Sequence, residues 1–276
     1  MNVFNGKESI NGWHVVNIEE SYIKKYWDSQ GKNHGESHHA SWGDNWMIDL
    51  EIETIGSHIM DGDKVLDVGC ANGYSTFHQY KNNSLRSIVG VDYSENMISS
   101  ALSTKNKGSC NDDINFCVGD VRELDFEDDF FDLTYTTRVI INLSTWENQK
   151  KAINECLRVT KKGGKVILTE GFWEPLVVLN SLRTVLNLPP LVEHDFNRYI
   201  KIDRLKKYLN SLDVNYHIED FSSMYYLGSR LVRELVTDID SYPGFTNPIN
   251  KVFFDIEKKF SGGGIGVQQA VVINKL

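Results

Sequence analysis

Three aspartates stand where a carboxylate can do recognition chemistry. Asp67 lies inside the turn VLDVGCANGYS, Asp92 closes the run SIVGVD nineteen residues after Gly73, and Asp120 closes INFCVGD. A carboxylate at the carboxyl end of a buried strand can accept both hydroxyl hydrogens of a ribose, the chemistry open to Asp92. At Asp120 it can accept from an adenine amino group while the Val121 N–H reaches a ring nitrogen. Gly69 and Gly73 bracket Cys70-Ala71-Asn72 between a strand and a helix, so backbone N–H groups and a helix N-terminus face whatever binds there. Taken singly, each aspartate also reads as a turn residue. Three at successive strand ends of one crevice point instead to a nucleoside-bearing ligand. The dinucleotide fingerprint G-x-G-x-x-G is absent, and Asp67 would repel a pyrophosphate, which disfavours an NAD-dependent dehydrogenase.

The elements that must position these residues alternate. KVLDVG, SIVGVD, INFCVGD, FDLTYTT and KVILTEG read as buried strands, and YSTFHQYK, SENMISSALS and STWENQKKAINECLRVT as the helices between them. Lys161-Lys162-Gly163-Gly164 reads as the end of the last helix. Upstream, IEESYIKKYWDS is helical, and Asp44 is a candidate N-cap for a helix in which Met47, Leu50, Glu51, Thr54, Ile55 and Ile59 recur at helical spacing. Downstream, Pro175, Pro189-Pro190 and EHDFNRY predict an irregular segment before the helix KIDRLKKYLNSL. VNYHIEDF and VQQAVVINKL then supply two more strands, with the helical patterns SRLVRELVTDI and INKVFFDIEKKF between them. Strand–helix alternation gives a doubly wound, mostly parallel α/β sheet, seven-stranded by this count. The organisation expected is an N-terminal helical cap over residues 1–60 and a domain over 61–276 with insertions at about 171–200 and 222–266. Inserted segments at a sheet edge commonly form a lid or a substrate-selecting wall.

VLDVGCANGYS, VGVDYSENMI, CVGDVRELDF, FDLTYTTRVIINL and RVTKKGGKVILTEG, in that order and spacing, resemble the successive motifs of class I S-adenosylmethionine-dependent methyltransferases. The resemblance covers about 64–171 and implies a Rossmann-like fold whose last strand runs antiparallel beside the fifth. It implies S-adenosyl-L-methionine as cofactor, with Gly69, Cys70, Asn72 and Gly73 cradling the methionine moiety and Asp67 facing its ammonium. Asp92 would hold the ribose and Asp120 with Val121 the adenine. Tyr93 and Met97 would line that region, and Thr137 would sit near the sulfonium. One departure is Cys70-Ala71-Asn72 where many members carry a middle glycine.

Beyond the cofactor residues, three side chains are candidates for work on the acceptor. Arg138 follows the fourth strand at the crevice mouth and could clamp a phosphate or carboxylate; a salt bridge to ELDFEDDFFD is the alternative. Glu170 ends the fifth strand, and His194 lies in the possible base site Glu193-His194-Asp195. His34, His38 and His39 read as a solvated loop or part of the wall over the cofactor, and no metal is expected. Tyr26, Trp27, Trp42, Trp46, Phe172, Trp173, Phe196, Tyr199, Tyr225 and Tyr226 are candidates for an acceptor pocket. SGGGIGVQQ precedes a strand, lacks the helix end of a phosphate loop, and reads as a flexible turn.

Composition bounds the partners. A chain of 276 residues with net charge −9 and 41% hydrophobic residues can bury a full core without staples. The acidity argues against a nucleic-acid surface, which needs clustered Lys and Arg. No apolar run approaches the ~20 residues that span a bilayer, and MNVFNGKESINGWH lacks the parts of a secretion signal. Cys70, Cys110, Cys117 and Cys156 contain no C-x-x-C pair, which suits a reducing cytoplasm. The activity expected is methyl transfer from S-adenosylmethionine to a small-molecule acceptor, with a sugar or glycan precursor preferred. A non-catalytic S-adenosylmethionine-binding partner or sensor is the alternative, and an aminopropyl transferase a more distant one.

Overall fold

The computed structural model describes residues 7–10, 13–16, 20–108, 112–238, 240–241 and 244–276. Cys110 and parts of the expected cap (1–6, 11–12 and 17–19) lie outside the described residues. β1 (Lys7–Ile10) and β2 (Trp13–Val16) pair with each other as an antiparallel two-stranded sheet. α1 (Glu20–His34) and α2 (Asn45–Gly56) follow, joined by a loop with a 3-10 turn at His38–Ala40. Asp44 caps α2 by accepting the Met47 N–H at 3.3 Å.

The main sheet is built from β3 (Lys64–Val68), β4 (Ser87–Asp92), β5 (Ile114–Val118), β6 (Phe131–Thr137), β7 (Thr160–Gly171), β8 (Val214–Glu219) and β9 (Gln268–Lys275). Its order is β5-β4-β3-β6-β7-β9-β8, with β9 antiparallel to both β7 and β8 and the other pairs parallel. This is the doubly wound seven-stranded sheet that the strand–helix alternation predicts. α3 (Tyr74–Asn82), α4 (Glu95–Lys107) and α5 (Trp146–Val159) connect these strands. The inner β3, β4 and β6 are largely buried and read as near-continuous apolar runs, whereas the edge strand β5 alternates buried and exposed positions. Side chains alternate between two cores: Val65, Ile167, Ala270 and Val272 enter one, and Leu66, Val166, Leu168, Val271 and Ile273 the other. The strand run at β7 starts earlier than KVILTEG, taking in the Lys161–Gly164 stretch expected to end a helix.

Two segments differ from the sequence reading. The stretch expected to be irregular after Gly171 forms α6 (Trp173–Val185), with Pro175 in its first turn. Proline is tolerated there because the first N–H groups of a helix have no intrahelical partner, so Pro175 starts the helix instead of breaking it. The Gly-rich run before β9 is pinned: Asp220 accepts the Gly264 N–H at 2.8 Å, and the Ser223 hydroxyl accepts those of Ile265 and Gly266. α7 (Ile202–Leu209) precedes β8. Between β8 and β9 lie α8 (Ser223–Leu227), a π-helical turn at Gly228–Val232, α9 (Arg233–Val236) and α10 (Pro248–Glu257). Arg183 of α6 pairs with Glu234 of α9 at 2.9 Å, so the two inserted regions touch. No helix among the described residues is long and apolar enough to cross a membrane.

Candidate functional site

Parallel strands put their carboxyl ends on one edge, and the connections diverging from that edge leave a crevice. Here it is lined by Gly69, Asp92, Tyr93, Asp120, Val121 and Thr137 from the sheet edge, with Ile23 and Trp27 of α1 over it. The crevice holds about 860 Å³ of empty space including its mouth. A smaller cavity adjoins it, lined by Asp67, Cys70, Asn72, Tyr74, Ser75 and Glu51. Ser41, Gly69, Ala71, Thr137 and Arg138 belong to both. Nine of the eleven residues expected for cofactor binding line one or other of these adjoining spaces, with Thr137 and Arg138 lining both.

The glycine turn is shaped by close approach. Gly69 has φ +76°, and a Cβ there would lie 2.1 Å from Val139 Cγ2. Ala71, at the place of the middle glycine, is also left-handed at φ +48°, and its N–H donates to Asp92 Oδ2 at 2.9 Å. The Ser94 N–H donates to the other Asp92 oxygen at 2.8 Å. Burial pushes the Asp92 carboxyl up to about 6 against these two hydrogen bonds. Asp67 is more deeply enclosed, and burial pushes it up to about 7 despite hydrogen bonds from Thr76 (2.6 Å) and Tyr135. The Tyr93 hydroxyl, on the residue following Asp92 in the crevice lining, is buried and has no hydrogen-bond partner among the described residues.

Asp120 behaves differently. Burial alone would raise its carboxyl, but Arg122 holds it below the usual range through a two-pronged side-chain contact (2.6–3.2 Å) and its own backbone N–H. Arg122 in turn meets Glu20 of α1 at 2.5 Å. The same helix is tied to α4, where the Ser94 hydroxyl donates to Asp28 at 2.6 Å.

Several expected site residues lie elsewhere. Gly73 is the left-handed N-cap of α3, packed on Phe116, and Met97 is buried in α4; neither lines the crevice. Asn72 reaches the smaller cavity, yet its amide nitrogen donates to the carbonyls of Gly35 and Ser37 at 2.8 and 2.7 Å. It thus fastens the histidine loop to the glycine turn. In that loop the rings of His38 and His39 lie 4.1 Å apart. Glu170 does not face either space. Its carboxylate accepts from the Thr136 hydroxyl and from the N–H groups of Val139, Ile140 and Ile141, at 2.7–3.2 Å. It shapes the turn that carries Arg138 and is buried beneath it. His194 is exposed, its ring against Tyr26 and Phe196 (5.5 and 4.3 Å between centroids). Glu193 folds back to accept the Tyr199 N–H at 2.6 Å.

Arg138 does line both spaces, with φ +56° and its guanidinium 4.5 Å over the Trp42 ring. Its nearest carboxylate is Glu51 of α2 at 3.3 Å, not the acidic stretch after Asp120. Glu51 was not among the residues expected to act; its signal in the sequence is a carboxylate in the midst of the apolar run WMIDLEIETI.

The sequence profile of a family described as "Methyltransferase domain" matches residues 59–213. A curated protein of Encephalitozoon cuniculi named as a methyltransferase is 29% identical over 151 residues, 55% of this chain and 62% of that protein. Phosphoethanolamine N-methyltransferase 3 of Arabidopsis thaliana is 33% identical over 109 residues, 40% of this chain and 21% of that enzyme. The chain thus spans less than two thirds of either relative's length. Among solved structures, geranyl diphosphate C-methyltransferase from Streptomyces coelicolor superposes with a TM-score of 0.60 at 16% identity, covering 93% of this chain and 98% of that one, a likeness of fold. With its profile match spanning more than half its length and its seven strands in this order, the chain belongs to the class I S-adenosylmethionine-dependent methyltransferases.

Proposed function

We propose that the chain binds S-adenosylmethionine in the larger crevice and transfers its methyl group to a small-molecule acceptor. The observation that carries this reading is the pairing of Asp92 with the unpartnered Tyr93 hydroxyl in one enclosed space, at the strand tip where a ribose would be held. The residues fit the group. Asp92 oxygens each accept one backbone N–H and retain lone pairs for sugar hydroxyls. Asp120 and Val121 line the same space, where the adenine would lie. The glycine turn leaves the methionine end free to enter toward Asp67 and Thr137. When bound, the cofactor supplies a methyl group already activated by its sulfonium.

The chain's own contribution is placement and exclusion of water. Holding two reactants in near-attack geometry is worth roughly 7–11 kcal/mol. Ile23 and Trp27 support a cap role for the N-terminal helix, since they cover the crevice from above. The insertion carrying α8 to α10 is our choice for the acceptor wall. Within small molecules we favour a sugar or glycan precursor, the subclass preferred from the sequence. The net charge of −9 supports a small acceptor over nucleic acid.

Titration calorimetry should detect micromolar binding of S-adenosylhomocysteine, and labelled donor incubated with a fractionated small-molecule extract should label one fraction. Binding of NADH in place of either sulfur compound would overturn the reading. Binding without any transfer would favour the sensor alternative.

A further inference from the structure

Glu51 is a buried carboxylate that the fold ion-pairs without hydrogen-bonding it fully. It sits on α2 between Leu50 and Ile52, is 1% exposed, and neither of its oxygens has an aligned hydrogen bond among the described residues. Removing a carboxylate from water costs several kcal/mol unless it is paired and hydrogen-bonded. Arg138 and Gln268 approach it, but neither meets it in full hydrogen-bond alignment. Arg138 Nη1, 3.3 Å from Glu51 Oε2, likewise makes no aligned hydrogen bond among the described residues. Buried polar atoms without hydrogen bonds call for an explanation, and both residues line a cavity shared with Gly69 and Thr137.

We infer that Glu51 is the proton acceptor of this site, taking the proton from a neutral O–H or N–H acceptor. This rests on the methyl-transfer reading above and narrows its substrate class to molecules that carry such a proton. In the step, a lone pair of the acceptor heteroatom forms the bond to the methyl carbon. The carbon–sulfur bond breaks with its electrons left on sulfur, and the heteroatom's proton passes to a Glu51 oxygen. One positive and one negative charge vanish together, which a poorly solvated site favours. Arg138 favours the ionised form of Glu51 against its burial and stays beside it afterwards.

The surroundings suit the task. Burial pushes the Glu51 carboxyl up to about 7, with Arg138 pulling down and Asp44 and Glu170 pushing further up. Gln268 of β9 and Tyr226 of α8 are further polar groups that act on it. A base poised near neutrality combines availability with driving force.

The test uses the full chain, Glu51→Gln and Glu51→Asp. Wild type at pH 6 should show an infrared band of a protonated carboxyl that Glu51→Gln lacks. S-adenosylhomocysteine should bind Glu51→Gln within threefold of wild type by calorimetry. Transfer of label to the extract fraction that wild type labels should fall about 100-fold or more in Glu51→Gln, with partial recovery in Glu51→Asp. Transfer within threefold of wild type would overturn the assignment. So would loss of S-adenosylhomocysteine binding in step with transfer, which would make Glu51 a cofactor ligand. A wild type that binds S-adenosylhomocysteine but labels no fraction overturns the small-molecule reading, and one that does not bind it overturns the cofactor reading itself.

Discussion

Arg230 reaches across 186 positions of sequence to place Nη2 2.7 Å from Asp44 Oδ2, the carboxylate that caps α2. The Tyr225 hydroxyl donates to the other Asp44 oxygen at 2.5 Å. Asp44 is fully buried, so the late insertion is bolted to the first turn of the helix that carries Glu51. The segment inserted between β8 and β9 thereby anchors the helix that carries Glu51.

Breaking that bolt should therefore affect more than the insertion. Arg230→Met leaves Asp44 buried with one partner fewer, and uncoupling a buried pair costs about 3–5 kcal/mol. Asp44→Asn should cost a similar amount, because the amide oxygen can still cap Met47 but Arg230 loses its counter-charge. Chemical denaturation of both single variants and the double variant measures the coupling. Additive losses would mean that the pair is not linked as the geometry indicates.

Asp92→Ala should weaken S-adenosylhomocysteine binding more than tenfold, while Asp120→Ala should have a smaller effect. The two differ because Asp120 is already occupied by Arg122, whereas the remaining Asp92 lone pairs face the crevice. Calorimetry on both variants checks the order, and a larger loss for Asp120→Ala would reverse our ranking of the two strand tips.

The cofactor edge was legible in the sequence because parallel strands buried on both faces have a strong signature, and their tips must share an edge. Asp92 and Asp120 follow from that rule, and Thr137 from the family resemblance. Glu170 obeys the same rule and yet points away from the crevice, since the chain turns over it and three successive N–H groups consume it. Sequence does not carry that distinction, which depends on how the next turn closes. Glu51 shows the complementary gap. Its place on an apolar stripe is readable, but its meaning needs Arg138 from another element. Met97 falls on the inward face of α4, where helical phase set it in the core.

The glycine turn offers a paired prediction. Gly69→Ala forces a side chain into a left-handed position and into Val139, for a loss of about 2–5 kcal/mol. Ala71→Gly should act in the opposite direction, relieving left-handed strain of about 1 kcal/mol at φ +48°. Thermal unfolding of the two variants should move apart in sign. A destabilised Ala71→Gly would mean that its methyl contributes packing exceeding the strain.

Stability and binding should depend on pH in opposite directions. Burial raises the carboxyls of Glu51, Asp67 and Glu257 to about 7 and that of Asp92 to about 6. Unfolded, these groups titrate near pH 4, so between about pH 4.5 and 7 the native state holds more protons. The slope of stability with pH is then negative, and the unliganded chain should lose on the order of a few kcal/mol as pH rises through that window. Asp132 and Glu155, held below the usual range by Lys161 and Arg158 against burial, act at lower pH, where their stabilisation is lost on acidification. Glu51→Gln should flatten the decline by removing one raised group. Ligand binding should run the other way, because hydroxyl donors to Asp92 favour its ionised form. S-adenosylhomocysteine affinity should therefore fall below about pH 6, and Asp92→Asn should lose that dependence along with most of the affinity. Denaturation between pH 4.5 and 8.5, with calorimetry over the same range, decides both. A stability that rises steadily with pH would show that these carboxylates are not held protonated by the fold.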